Sequence, residues 1–214
     1  MSETVKRSYS SPHRQAQARE TRRSILASAG RLFVEAGYGA TSLQQVADDA
    51  GVSVQTVYAA FGNKKAILEQ VLDVAIAGDD ESIAVNDRDW MAAVFTDPDP
   101  ATRLNAYASA VAGIHERAGA VFEVLRAAAD TDPDLAAFAA TAEQRRRTGA
   151  SSVIDGLIEV AEGSMHLERD RAVDVLWTLN SADLYGRLVR DCGWSLQDYT
   201  VWLAATLKCA LLTD

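Results

Sequence analysis

Two cysteines, three histidines and four prolines in 214 residues exclude several kinds of chemistry at the outset. Two cysteines cannot build a disulfide framework. Cys192 and Cys209, on what read as two different helices, are expected to be a reduced, buried pair. His13, His115 and His166 show no metal-ligand spacing with cysteines or carboxylates, so no metal site is expected. There is no Ser-His-Asp pattern, no phosphate-cradling glycine loop and no paired-cysteine motif, and nothing implies a cofactor. A helical enzyme needs no contiguous motif, yet nothing here favours one. No apolar run approaches the ~18 residues of a bilayer span, and no apolar stretch backs the basic N-terminus. Neither a membrane span nor a secretory signal is expected, and the expected compartment is the cytoplasm. Alternating β-branched runs are also missing, so the fold class is all-α.

What is present is uneven in charge. The net charge is -9, but residues 1–68 hold nine Lys/Arg against five Asp/Glu, a net of +4. The remainder holds 12 basic against 25 acidic residues, a net of -13. A basic head on an acidic body is the pattern of a nucleic-acid reader whose other faces are repelled by phosphate.

Residues 1–14 are Ser-rich and polar and read as a disordered tail, in which Lys6-Arg7 is either a minor-groove arm or a solvated segment. A helix follows from about Gln15 to Ala36, with Ile25, Ala29, Leu32, Phe33 and Ala36 as its apolar stripe and Gly37 as its stop. Leu43, Val46, Ala47 and Ala50 mark a short helix that Thr41 or Ser42 caps. Gly51 then turns the chain, Val52 plugs the joint and Ser53 caps a second short helix. Two short helices around such a turn form a helix-turn-helix, whose second helix enters the DNA major groove. Val57 and Phe61 supply its buried face and leave Ser53, Val54, Gln55, Thr56 and Tyr58 outward. Gln55 suits an adenine edge, and Val54 and Thr56 offer methyl groups to thymine, which points to an A·T-containing half-site. Lys64 and Lys65 open a fourth helix, where only an anion beside the helix start would welcome them. Arg22 and Arg23 are open between backbone contacts and solvated helix charges.

Thr41-Ser42-Leu43, Ala50-Gly51-Val52-Ser53, Thr56-Val57-Tyr58, Phe61 and Asn63-Lys64-Lys65-Ala66-Ile67-Leu68 resemble the signature of TetR-family transcriptional regulators. Ile25–Ala29 and Leu32–Tyr38 resemble that family's first helix and its closing turn. The resemblance covers residues 20–72. It implies a phosphate contact for Tyr58 and Lys65, and for Thr41 a capping place whose backbone meets the phosphodiester. It also implies a three-helix DNA-binding domain over residues 15–63, joined by the fourth helix to a helical effector-binding and dimerisation domain over 64–214.

Beyond the fourth helix, residues 79–100 are broken by Gly78-Asp79-Asp80 and Asp97-Pro98-Asp99-Pro100. The spacing then predicts helices over 101–117, 119–129, 133–162, 168–191 and 195–212. The last is apolar around most of its circumference, so it must be buried on two sides. Trp202 and Leu203 cannot both face one core, and one of them is expected to meet a second copy. The resemblance implies a homodimer through the last two helices, on a palindromic operator. An effector pocket is expected within the body, its candidates being Tyr107, His115, Phe122, Arg126, Phe138, Trp177, Asn180 and Tyr185. Arg145-Arg146-Arg147 reads as a solvated or acid-paired face. The expected activity is that of a repressor released by a small molecule. The alternative, an architectural DNA-binding protein, leaves some 140 residues of body without a purpose.

Overall fold

The computed structural model describes residues 12–161 and 163–213. Among these there is no strand, only an isolated bridge between Met165 and Leu212, and the chain is all-α. It divides into two compact units, residues 1–71 and 72–214.

The first unit holds α1 (Pro12–Ala36), α2 (Leu43–Asp49), α3 (Val54–Phe61) and the first half of α4 (Lys64–Ala77). Helix α1 starts at Pro12, three residues ahead of the expected Gln15, because proline is tolerated where the first helical N–H has no partner. Of the disordered tail expected over residues 1–14, residues 12–14 belong to α1, and residues 1–11, with Lys6-Arg7, lie outside the described residues. Ile25, Ala29 and Phe33 of α1 pack with Val46, Ala47, Val57, Phe61, Ile67 and Leu68, all of them buried. In α1 and α3 these positions recur four apart, and in α2 and α4 they are adjacent pairs, so one face per helix closes a small core.

The second unit holds α5 (Ala92–Thr96), α6 (Pro100–Ala129), α7 (Pro133–Ala161), α8 (Arg169–Leu179), α9 (Ala182–Tyr185) and α10 (Leu196–Leu211). Helix α6 lies against α7 and α10, and α7 against α8. Leu104, Val111, Ile154, Leu157, Leu176, Leu203 and Leu207 form the middle of its core. Arg103 is buried as well, and its guanidinium donates to the carbonyls of Asp97 (2.5 Å) and Gly156 (2.8 Å).

Three boundaries differ from expectation. The two pieces expected at 101–117 and 119–129 are one helix, α6. Gly119 is not a break there: the helix runs through it, and a Cβ would stand in ordinary contact, 3.5 Å from the Tyr185 ring. Conversely, the helix expected over 168–191 is interrupted. Asn180 ends α8, Ser181 caps α9 by accepting from the Leu184 N–H, and a π-helical turn follows over Gly186–Asp191. The segment before α5 carries only two short 3-10 turns, Val85–Asp87 and Asp89–Met91.

Two side-chain expectations are corrected. Cys192 and Cys209 are exposed free thiols, not a buried pair. Helix α10 buries the face carrying Tyr199, Leu203, Leu207 and Leu211, and Cys209 falls on the other side. Leu203 is 0% exposed within its own unit and cannot meet a partner. Trp202 is half-buried against the rings of Tyr199 and Trp194, and Val201 beside it is 58% exposed.

Candidate functional site

The helix-turn-helix is assembled from local hydrogen bonds. Ser42 caps α2 reciprocally: its Oγ accepts the Gln45 N–H at 3.2 Å, and its own N–H donates to Gln45 Oε1 at 2.8 Å. At the end of α2, Gly51 takes φ 68°, the left-handed conformation that glycine adopts without steric cost. The Val52 N–H reaches back to the Ala47 carbonyl at 2.9 Å. Ser53 then caps α3, its Oγ accepting from the Thr56 N–H at 3.1 Å and lying 2.9 Å from the Thr56 hydroxyl. Val57 and Phe61 anchor α3 in the core, and Arg22 holds its end. The Arg22 guanidinium sits 4.2 Å from the Phe61 ring centre, donates to the Ala60 carbonyl at 2.8 Å and also bonds Gln70. That settles Arg22 as a brace of α3.

The outward surface of α3 carries Ser53, Gln55 and Ala59 exposed, Tyr58 at 54% exposure, and Val54 and Thr56 half-exposed. Lys65 stands at the start of α4, partly exposed and 3.7 Å from Glu69. Thr41 and Lys64 do not join this surface. Thr41 is 3% exposed, and its hydroxyl donates to the carbonyls of Gly37 (2.9 Å) and Leu32 (3.2 Å). Its backbone is engaged too, the N–H with the Tyr38 carbonyl and the carbonyl with Lys64. Lys64 Nζ donates to the carbonyls of Tyr38 (2.7 Å) and Thr41 (2.9 Å) and lies 4.2 Å from the Tyr38 ring centre. Ser42, exposed beside them, is the capping residue that the Ser-x-x-Gln spacing of residues 42–45 already signals.

Residues 25–71 match the model of the bacterial regulatory proteins of the tetR family. The first unit is a TetR-family DNA-binding domain. Proteins of the TetR family are DNA-binding regulators of transcription. The fold of the whole chain is that of solved TetR-like regulators. It superposes on NalD of Pseudomonas aeruginosa, the secondary repressor of the MexAB-OprM efflux pump, with a TM-score of 0.71 at 22% identity, covering 92% of this chain and 99% of that one. SmeT in complex with triclosan gives a TM-score of 0.68 at 17% identity, over 91% of this chain and 92% of SmeT. A regulator from Saccharomonospora viridis in complex with choline gives 0.66 at 18%, over 92% and 100%. No curated protein matches the chain significantly in sequence. No described helix is long and apolar enough to cross a membrane.

The second unit holds a cavity of about 420 Å³, partly open to its surface. Leu72 and Ile76 of α4, Val85 and Met91, Val111 and Ile114 of α6, and Phe138 and Val153 of α7 give it apolar walls. Buried Arg88 pins the irregular wall segment through Asp79 and the Glu81 carbonyl. Into this cavity the fold brings a polar chain. Asn180 Nδ2 donates to the Tyr107 hydroxyl at 2.7 Å, and Asn180 Oδ1 lies 3.2 Å from His115 Nε2. His115 Nδ1 is buried without a partner.

Of the eight body residues singled out, Tyr107, His115, Phe122, Phe138 and Asn180 line the cavity. Tyr185 stands behind, stacked on His115 with centroids 5.3 Å apart. Trp177 lies under the guanidinium groups of Arg146 and Arg147, at 5.0 and 5.2 Å. Arg126 is on the surface, paired with Glu123 at 3.0 Å. Arg146 is acid-paired, one of the two expectations for its run, and it also lines the cavity. Its guanidinium pairs with Glu143 at 2.6 Å and donates to the carbonyls of Trp177 and Asn180 at the end of α8. Its position eight residues after Phe138 on α7 was the available signal, since that spacing keeps one face.

Burial pushes the His115 imidazole down to about 4; the Asn180 hydrogen bond opposes this and the Arg146 charge adds to it. A lowered histidine contributes nothing above its unfolded value, near 6.5, because both states are then neutral. Between 6.5 and 4 the unfolded chain takes up a proton that the folded chain refuses, so stability falls as pH falls. His115 is therefore expected to remove roughly 3 kcal/mol across that window. Urea unfolding at pH 7 and pH 4.5 should show a smaller loss in His115→Gln than in the parent. Equal losses in the two proteins would refute this assignment.

Proposed function

We propose that this chain is a repressor that binds a palindromic operator as a homodimer and releases it when a small molecule fills the body cavity. One observation carries the reading: a single chain pairs an α3 that exposes Gln55 and Tyr58 with a separate cavity that holds a buried polar chain. The solved relatives support it, since NalD is described as a repressor and two others hold triclosan and choline. Pairing into a dimer is supported by the outward row Val201, Ala205 and Cys209 of α10, four apart and exposed on a well-formed helix. A single head contacts too few base pairs for genomic specificity, whereas two heads read a two-fold site. Helix α4 is the link between the functions: Lys65 stands at its start, and Leu72 and Ile76 near its end line the cavity. An effector acts through its differential affinity for the DNA-competent and released states.

The roles within the head separate experimentally. Lys65→Ala is expected to weaken binding to all sequences alike and to lower the salt slope by about 1 per lost phosphate contact. Gln55→Ala should relax preference at one operator position, at roughly 1–3 kcal/mol per half-site. Lys64→Met should leave the salt slope unchanged, because its ammonium is engaged by two carbonyls. Operator titrations across salt concentrations measure all three. Parent-like behaviour of both Lys65→Ala and Gln55→Ala would overturn the DNA-reading assignment.

A further inference from the structure

We infer that the body cavity takes a neutral, apolar molecule bearing one hydroxyl donor, which bonds to His115 Nδ1. This rests on the effector-pocket reading above and narrows it to a ligand class. The argument starts from proton placement. Asn180 has one donor side and one acceptor side, and its donor side is taken by the Tyr107 hydroxyl at 2.7 Å. Its acceptor oxygen therefore faces His115 Nε2 at 3.2 Å, and Nε2 carries the imidazole hydrogen. The ring is 2% exposed and neutral at physiological pH, so that hydrogen is its only one. Nδ1 is left as a bare lone pair, buried and without a partner, in a ring that lines the cavity. An unmet buried acceptor costs free energy that a ligand O–H recovers. Water is a poor substitute, since it needs two or more polar partners and the imidazole is flanked by the rings of Phe122 and Tyr185.

The charged groups near the cavity argue against an ionic ligand. Arg146 is already satisfied by Glu143 and by two carbonyls, and stacks on Trp177. Arg145 is largely exposed and lies 3.9 Å from Asp73. A carboxylate would set its lone pairs against that of Nδ1, and a quaternary ammonium has no hydrogen to donate. The volume, about 420 Å³, and the walls of Phe122, Phe138, Met91 and Ile114 suit an aromatic or branched aliphatic frame.

The test uses the full-length protein and three probes of one shape: β-naphthol, its methyl ether and β-naphthoate, titrated calorimetrically at neutral pH. The naphthol should bind at least roughly tenfold tighter than the ether, with the naphthoate weakest. In His115→Phe the naphthol should fall to the level of the ether, while the ether holds its affinity. Equal binding of naphthol and ether, or preference for naphthoate, overturns the hydroxyl inference and leaves the cavity standing as a binding site. Binding of none of the three overturns both this inference and the effector-pocket reading. Nitrogen NMR of the unliganded parent provides a check that needs no variant to fold. An unprotonated Nδ1 supports the proposal, and a protonated Nδ1 overturns it.

Discussion

Val201→Glu is expected to leave a folded, helical monomer with little operator affinity, while Leu203→Glu two residues along should unfold the body. The two positions lie on opposite sides of α10. Leu203 is fully buried among Leu104, Tyr107 and their neighbours, so a carboxylate there has neither water nor a partner. Such a buried, unpaired charge costs several kcal/mol, a large part of the total stability of an average domain. Val201 is 58% exposed and shares its row with exposed Ala205 and Cys209, so the isolated chain bears the charge easily. In a two-fold pair the same substitution appears twice and faces its own mate. Operator affinity should then drop by about 100-fold or more, since two half-sites no longer act together. Sedimentation velocity and circular dichroism at micromolar concentration decide the matter. A Val201→Glu protein that stays dimeric, or a parent that is monomeric, would rule out α10 as the interface.

Asn180→Leu should uncouple the cavity from the DNA response and lower stability. The amide serves both Tyr107 and His115, so removing it leaves a buried hydroxyl and a buried ring N–H unmet. Each orphaned group costs roughly 1–3 kcal/mol. The backbone role of Asn180, whose carbonyl accepts from Arg146, survives the substitution. Operator binding by the head should persist, and any ligand that releases the parent should fail to release the variant. Thermal unfolding with operator titrations in the presence of β-naphthol measures both parts. Parent-like melting would show that the three side chains are not coupled as the geometry indicates. Trp177 is a weaker site for this test than its chemistry suggests, because it supports Arg146 without lining the cavity.

The head was readable from its residues because short-range rules decide it: a glycine turn, a serine cap and apolar spacing act within a dozen positions. The body was readable as helix, but not in where its helices stop. Gly119 looks like a break by propensity, yet α6 runs through it, held by α7 and α10, which lie far off in sequence. Asn180-Ser181 was the opposite case. A helix end followed by a serine cap lay open in the sequence, masked by the flanking leucines. The run Arg145-Arg146-Arg147 is acid-paired, as one of its two expectations had it, but its members face differently because consecutive helical residues point about 100° apart. Arg145 is exposed, Arg146 turns into the cavity wall, and Arg147 pairs with Asp174 at 2.6 Å. Charge points Lys64, and resemblance the Thr41 backbone, toward phosphate, whereas carbonyls within the head engage the Lys64 ammonium and the Thr41 hydroxyl.

Lys64 has one more effect. By gripping the carbonyls of Tyr38 and Thr41 at once, it fixes the turn between α1 and α2 in the free protein. A turn left loose would have to be frozen at the moment of docking, and each ordered side chain or loop residue would subtract from affinity. Here that ordering is complete when the chain folds, so DNA meets a surface with little freedom left to lose. On the DNA-reading proposal, the lysine would favour the complex through preorganisation in place of attraction.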